Sequence, residues 1–445
     1  MGAGAASAGL GIFGAVRAQT PAPNDAPRPT VFTNVRVFDG TADALRDGLT
    51  VVVDGDRITA VQEASVPHPE NARVIEGRGG TLMPGLIDAH WHASLAAVPQ
   101  AIAMTSDPAY LHIIAAQEAE RTVLRGFTTV RDCAGPSFAL KRAIDEGQIT
   151  GPRIYPSGAM ISQTSGHGDY RSINDLPRFP NKSPAPVELM GGGSIADGVD
   201  EVLRRVREQL MQGATQIKLA AGGGVASAYD PLEVIQYTEE ELRAAVQAAE
   251  DYGTYVMVHA YTPEAIQRSI RAGVRCIEHG HLADDETAQI IAETGTLWCI
   301  QPFFDDEDAI PFSDPVSRAK QIRVSEGTAR AYELARKHGI DIAFGTDVLF
   351  DPSLAERQGK LLGKLGNFFS NFDVLKQATS GNGRYMAACG TRDPYPAPLG
   401  VIAAGAWADI LLVDADPVAD LGVLADPERN LRVIMKNGAL IKDNA

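Results

Sequence analysis

Cysteine is scarce: four residues in 445, scattered as Cys133, Cys276, Cys299 and Cys389 with no C-x-x-C pair. That excludes a disulfide framework and a thiolate cage, so any metal site must draw on other ligands. Positive charge is the minority, with 40 Lys plus Arg against 56 Asp plus Glu and a net charge of −16. No Lys/Arg-rich run forms a phosphate-tracking stripe, and a nucleic-acid partner is not expected. No stretch reaches the roughly 18 apolar residues of a membrane-spanning helix, so no membrane partner is expected either. The G-x-S-x-G elbow, the H-E-x-x-H helix and the G-x-x-x-x-G-K-[ST] phosphate loop are all missing. Gly222 to Gly224 form a G-G-G without the rest of a dinucleotide fingerprint, and read as a place where a loop passes close to substrate. With 44% hydrophobic and 22% charged residues, the chain is ordinary globular material able to bury a large core.

The first twenty residues are small and weakly apolar, with a Val16-x-Ala18 step but no positively charged start. They read either as the remnant of a truncated or mis-started export signal or as an untidy N-terminus. Localisation is left open between exported (periplasmic or secreted) and cytoplasmic. The Pro-rich stretch from Pro21 to Pro29 reads as a linker, which sets residues 1–29 apart from the folded body.

From Val31 to Thr81 short apolar alternations are separated by D-G turns, and similar text returns at 408–416 and 431–441. Residues 30–83 and 398–445 are therefore expected to form one small β-sandwich from the two chain ends. Between them, over 84–397, short apolar strands alternate with helical stretches. Eight strands are expected, at 86–92, 128–133, 153–158, 216–221, 255–260, 275–280, 296–301 and 341–347. Thr238 and Glu241 make a capping box, and Gly253 stands where a helix should end. Eight such units match an α/β fold of the (β/α)8 TIM-barrel type, with an open doubly wound sheet as the alternative.

His90, His92, Lys218, His259, His279 and Asp347 fall at or near the C-terminal ends of these strands. A lone strand-end histidine is usually a satisfied core residue. Five strands ending this way, converging on one barrel face, point instead to an active site. His90 and His92 are two apart, so both side chains point to one side. Neutral imidazoles with a carboxylate suit Zn²⁺ or a neighbouring dication, and this set is large enough for one or two ions. Lysine is an ammonium at neutral pH and would repel a dication. Lys218 belongs there only if its charge is removed or reversed, for example as a carbamate; otherwise it is one half of a buried ion pair.

The segments P-G-L-I-D-A-H-W-H (84–92), G-A-T-Q-I-K (213–218), V-H-A (258–260), E-H-G (278–280) and G-T-D (345–347) resemble the amidohydrolase superfamily in order and content. G-F-T-T-V-R-D (126–132), G-P-R (151–153) and S-G-H-G-D (165–169) are most similar to its binuclear branch of imidazolonepropionase-related amidohydrolases, Xaa-Pro and Xaa-Arg dipeptidases and ochratoxin-hydrolysing amidases. The resemblance implies two divalent ions, Zn²⁺ by preference. His90, His92 and Asp347 would hold one and His259 and His279 the other, with carboxylated Lys218 bridging. Thr215 departs from the Asp that many members of the branch carry at that place.

On this reading Asp347 accepts a proton from water and passes it to the leaving nitrogen. His167 contacts the developing oxyanion or the substrate, or else merely shapes its turn. Substrate choice is expected in three loops, 161–196, 222–237 and 303–311. The first carries Tyr170, Arg171 and Arg178 and could fold over as a lid; the second offers Tyr229. The third mixes aromatic and acidic residues, suited to admitting an apolar group and repelling anions. The expected partner is a small-molecule amide, a dipeptide or an N-acyl amino acid, with ochratoxin A as a specific member of the class. Alternatives are a cyclic-amide hydrolase, an ammonia-releasing aminohydrolase and a non-catalytic relative. The resemblance also implies a homo-oligomer, with no residue selecting its size.

Overall fold

Strands alternate with helices through most of the chain, and the two chain ends are strand-rich. The computed structural model describes residues 28–176 and 183–445. The export-signal reading, most of the linker and Arg178 lie outside those residues. Among the described residues, no helix is long and apolar enough to cross a membrane.

The N-terminal part gives β1 (Thr30–Val37), β2 (Arg46–Asp54), β3 (Arg57–Glu63), β4 (Arg73–Glu76) and β5 (Thr81–Pro84). The middle gives β6 (Leu86–Trp91), β7 (Phe127–Asp132), β8 (Arg153–Pro156), β9 (Met160–Ser162), β10 (Gly193–Ile195), β11 (Ile217–Ala220), β12 (Val256–Ala260), β13 (Cys276–His279), β14 (Leu297–Ile300) and β15 (Ile342–Phe344). The C-terminal part adds β16 (Ile410–Val413), β17 (Leu431–Lys436) and β18 (Ala439–Asp443).

The end segments join in one eight-stranded sheet, ordered β18-β17-β16-β5-β1-β2-β3 with β4 also on β1. Alternation explains its packing: Leu49, Val51 and Val53 of β2 turn inward and, with Phe32 of β1 and Ile58 of β3, meet Leu412 and Val433 in a core of their own. Arg36 on β1 pairs with Asp416 at 2.8 Å, one of the ties between the two ends of the chain.

The middle strands are parallel and buried on both faces, which is why they read as continuous apolar runs rather than alternations. All eight expected strands are present, as β6, β7, β8 and β11 to β15. They form a TIM-barrel-like α/β arrangement: β6 to β8 run in chain order in one sheet and β11 to β15 in another, with no reversal among these eight of the doubly wound kind. The ladders make two sheets, β6-β7-β8 and β10-β9-β11-β12-β13-β14-β15. Single bonds join their edges. Thr215 N–H donates to the Pro156 carbonyl at 2.9 Å and Asp347 N–H to the His90 carbonyl at 2.7 Å. The Asn382 side-chain amide donates to the carbonyls of Ile87 and Phe344, both at 2.7 Å.

The stretch 161–196, expected to be a loop, instead begins and ends in short strands. Gly158, at φ +73°, breaks β8, and the chain re-enters extended pairing as β9, with Ile161 beside Leu219. The expected capping box is present: Thr238 N–H donates to Glu241 Oε2 at 2.8 Å, and Glu241 N–H returns to Thr238 Oγ1 at 3.3 Å. The helix Glu239–Glu250 follows, and Gly253 takes φ +76° just beyond it.

Candidate active site

His90 sits near the end of β6, Lys218 within β11, His259 near the end of β12 and His279 at the end of β13, while Asp347 lies just past β15. These ends converge on a cavity of about 500 Å³ lined by His90, His92, Lys218, His259, His279 and Asp347. Two of them have backbone that L-residues seldom adopt, His279 at φ +77° and Asp347 at φ +53°. Such strain persists only where surrounding structure holds it, and it clusters at functional sites. Gly345, two residues earlier, is obligatory: a Cβ there would stand 2.5 Å from the Cβ of His90.

The imidazole orientations follow from what each ring gives to the protein. His90 Nδ1 donates to Glu278 Oε2 at 2.7 Å, His92 Nδ1 to the Ala134 carbonyl at 3.1 Å and His279 Nδ1 to Gln301 Oε1 at 2.7 Å. With Nδ1 so engaged, each ring turns its Nε2 toward the cavity. For His90 and His92 that atom faces Asp347 Oδ1, at 3.1 and 2.9 Å. His259 is reversed: its Nε2 donates to the Gly223 carbonyl at 3.0 Å, leaving Nδ1 as the lone pair. Burial, reinforced by neighbouring His167 and Lys218 for one and by His259 for the other, drives His259 and His279 well below the usual histidine range, so both are neutral donors. Burial alone would raise Asp347, but the His90 and His92 imidazoles hold its carboxyl well below the usual range.

Behind these side chains lies a layer that strand patterning does not reveal. Arg131 on β7 and Glu278 on β13 form a fully buried ion pair at 2.6 Å. The other Glu278 oxygen is the one that orients His90. Burial opposes the charge on Glu278, but Arg131 and His90 outweigh it and hold the carboxyl well below its ordinary value. Asp88, two residues before His90, accepts from Thr346 Oγ1 at 2.7 Å and Gln358 Nε2 at 2.9 Å, tying β6 to the turn that carries Asp347. Asp88 goes unremarked in the sequence, although the period of two that sets His90 and His92 on one side also sets Asp88 there. Arg131 and Glu278 read simply as strand residues.

Lys218 is buried, and its Nζ has no hydrogen-bond partner. An ammonium left so in a protein interior is costly. Among the described residues no carboxylate forms an ion pair with it. Around Lys218 the cavity presents imidazoles and a carboxylate. His90, His279 and Asp347 place ligand atoms close enough together to share one ion, and His90, Cys133 and Glu278 form a second such cluster beneath. A donor set of nitrogen and oxygen around a modifiable lysine fits divalent metal.

His167 and Tyr170 also line the cavity. His167 stacks on His259 with ring centroids 3.9 Å apart, and its Nδ1 meets Ser227 Oγ at 2.8 Å and Asp230 Oδ2 at 3.4 Å. Tyr229 is a correction: it is exposed, its hydroxyl donates to the Arg171 carbonyl at 3.4 Å, and it does not line the cavity. Arg171 is spent on Asp169, through bonds of 2.7 and 2.6 Å. Tyr261, unremarked in the sequence, stands edge-on to His259 at 4.9 Å and lines the cavity. Burial keeps it a phenol.

The loop 303–311 supplies an apolar wall from Phe303, Phe304, Ile310 and Pro311, continued by Phe312. Its acids do not act as a free anion barrier. Asp308 faces Arg357, Lys360 and Lys364 at 2.7 to 3.0 Å, and Asp306 faces Lys364 at 2.8 Å. Despite some opposition from burial, these cations hold Asp308 at about 2.

A TIM-barrel-like fold with imidazoles, a carboxylate and an unpaired lysine gathered at its strand ends is the arrangement of a hydrolase site. The chain belongs to the amidohydrolase family, whose model matches residues 81–441. It is 30% identical over 436 residues to ochratoxinase of Aspergillus niger, covering 95% of this chain and 88% of that protein. The crystal structure of A. niger ochratoxinase superposes with a TM-score of 0.81 at 28% identity, over 94% of this chain and 96% of that one. A prolidase crystallised with N-methylphosphonate-L-proline superposes at 0.85 and 35% identity, over 93% and 100%. The protein is a hydrolase of this family, with ochratoxinase-like and dipeptidase-like relatives.

Proposed function

We propose that the chain hydrolyses the amide bond of dipeptides or N-acyl amino acids, ochratoxin A among them, at a binuclear site at the mouth of a closed barrel. The observation that carries this reading is the meeting of four imidazoles, Asp347 and the unpartnered Lys218 Nζ opposite an apolar wall. His90, His92 and Asp347 would hold one ion and His259 and His279 the other, with carboxylated Lys218 between them. When bound, such ions lower the pKa of a water from ~15.7 toward about 7 and polarise a carbonyl.

The chain's own groups do the rest. Asp347, ionised and held by two imidazoles, takes the proton of the attacking water and returns it to the departing nitrogen, which an amide requires. Tyr261 presents a donor to the oxygen on which charge develops, and His167 contacts the substrate beside it. Among the described residues, Lys218 is the only lysine or arginine lining the cavity, so a substrate carboxylate would be met by neutral donors such as Tyr170. The aromatic wall accepts the acyl group, which agrees with an aryl amide of phenylalanine as substrate.

The test is mass spectrometry of dipeptides, N-acyl amino acids, ochratoxin A, cyclic imides and aminopurines incubated with zinc-loaded enzyme, with and without chelator. Chelator-sensitive release of free amino acids is expected. Ring opening or ammonia release would move the enzyme to another reaction, and cleavage that survives metal removal would overturn the mechanism. A Lys218→Ala variant that keeps full activity and two bound metals would overturn the bridging role.

A further inference from the structure

The helix Pro315–Lys337 contributes more than a wall. Over its first turns it reaches both mouth loops. Arg318 pairs with Asp305 at 2.7 Å, and the Gln321 amide donates to the Ile310 carbonyl at 2.7 Å, both on the apolar loop. Arg323 pairs with Glu233 on the other loop. Between them, half-buried Lys320 spends its ammonium on three backbone carbonyls of that loop: Gly224 at 3.0 Å, Ser227 at 3.1 Å and Asp230 at 2.8 Å.

Three carbonyls of one turn, 224–230, thus converge on a single cation. The side chains of that turn face His167. Ser227 Oγ and Asp230 Oδ2 both approach His167 Nδ1, and Asp230 Oδ2 also accepts from Gly224 N–H at 2.8 Å. Asp230 is buried. Gly223, which follows directly on Gly222 in the same loop, gives its carbonyl to His259.

We propose that Lys320 is a positioning residue: its ammonium clamps the 224–230 turn, and through Ser227 and Asp230 the clamp fixes the place and tautomer of His167 in the cavity. Lys320 touches no substrate. The kinetic consequence rests on the amide-hydrolase reading above, whereas the clamp itself does not.

The test uses Lys320→Met and Lys320→Cys in the full chain, the latter before and after alkylation with 2-bromoethylamine, which restores a primary ammonium at the length of lysine. The four native cysteines are buried, so the new thiol is the accessible one. Hydrogen exchange over 222–237 and the ¹⁵N signal of the His167 imidazole, assigned with His167→Asn, are read without any substrate. Both variants are expected to exchange faster over that segment and to shift the His167 signal. They should also lose about 10- to 100-fold in kcat, the scale of a small misplacement of a catalytic group, with metal content unchanged. Aminoethylation is expected to reverse all three changes. Wild-type exchange and an unmoved His167 signal in Lys320→Met would overturn the clamp, as would aminoethylation that restores nothing. Should Lys320→Met fail to fold, the Cys variant is compared with itself before and after modification. If the wild-type enzyme cleaves no amide, the substrate-free measurements still decide the clamp, and the failure belongs to the assigned reaction.

Discussion

His259 and His167 lie face to face, with ring centroids 3.9 Å apart and planes 18° from parallel, although one ends a strand and the other sits in a loop. Both are fixed by one short segment: Gly223 holds His259, and Ser227 with Asp230 holds His167. The glycine run therefore serves the two histidines, and a change there should be felt at both.

Gly224→Ala is the sharpest probe of that arrangement. The added Cβ would stand 1.9 Å from His167 Nδ1, so ring or loop must move. Activity on the best amide substrate is expected to fall about 100-fold in kcat/KM. Bound metal, measured by mass spectrometry, should stay at the wild-type level.

The Arg131–Glu278 pair should reveal itself in two different measurements. Glu278→Gln removes the carboxylate that orients His90, and metal affinity in a chelator competition is expected to fall about 10- to 100-fold. Arg131→Met leaves Glu278 buried without its cation and is expected to cost about 3–5 kcal/mol in denaturant unfolding. Wild-type metal affinity in Glu278→Gln would refute the orienting role.

Lys436, on β17, gives a pH signature of folding rather than of catalysis. Burial, aided by Arg153, lowers its folded pKa to about 8 against an ordinary 10.5. Between those values the unfolded chain holds a proton that the folded chain has lost, so stability rises with pH across the interval. Lys436→Met is expected to be more stable than wild type at pH 7. Urea unfolding from pH 7 to 10.5 should show the difference shrinking above pH 8; a constant difference would contradict the assignment.

Phe312 tests the apolar wall. Phe312→Ala is expected to lower kcat/KM roughly 10-fold for N-benzoyl-phenylalanine, on the scale of lost apolar contact in a pocket. N-acetyl-phenylalanine, whose acyl group is a single methyl, should change by no more than about 2-fold on the same reasoning. Equal losses on both substrates would place the acyl group elsewhere.

Local chemistry made much of the molecule legible in the sequence. Strand-length apolar runs, a capping box at Thr238 and repeated strand-end histidines are determined by neighbours a few residues apart, so the parallel α/β pattern and the six candidate ligands could be read from the chain itself. Tertiary structure decided what depends on residues far apart in sequence. Tyr229 reads like a substrate donor, yet its hydroxyl is turned to the Arg171 carbonyl. The acids of 305–308 read like an anion barrier until Arg357, Lys360 and Lys364 are brought against Asp308. The Arg131–Glu278 pair, the tautomer of each imidazole and the reach of Lys320 across to the 224–230 turn have no local signature. A hydrogen bond or ion pair between distant segments is set by where the fold carries them, and sequence spacing holds no record of that distance.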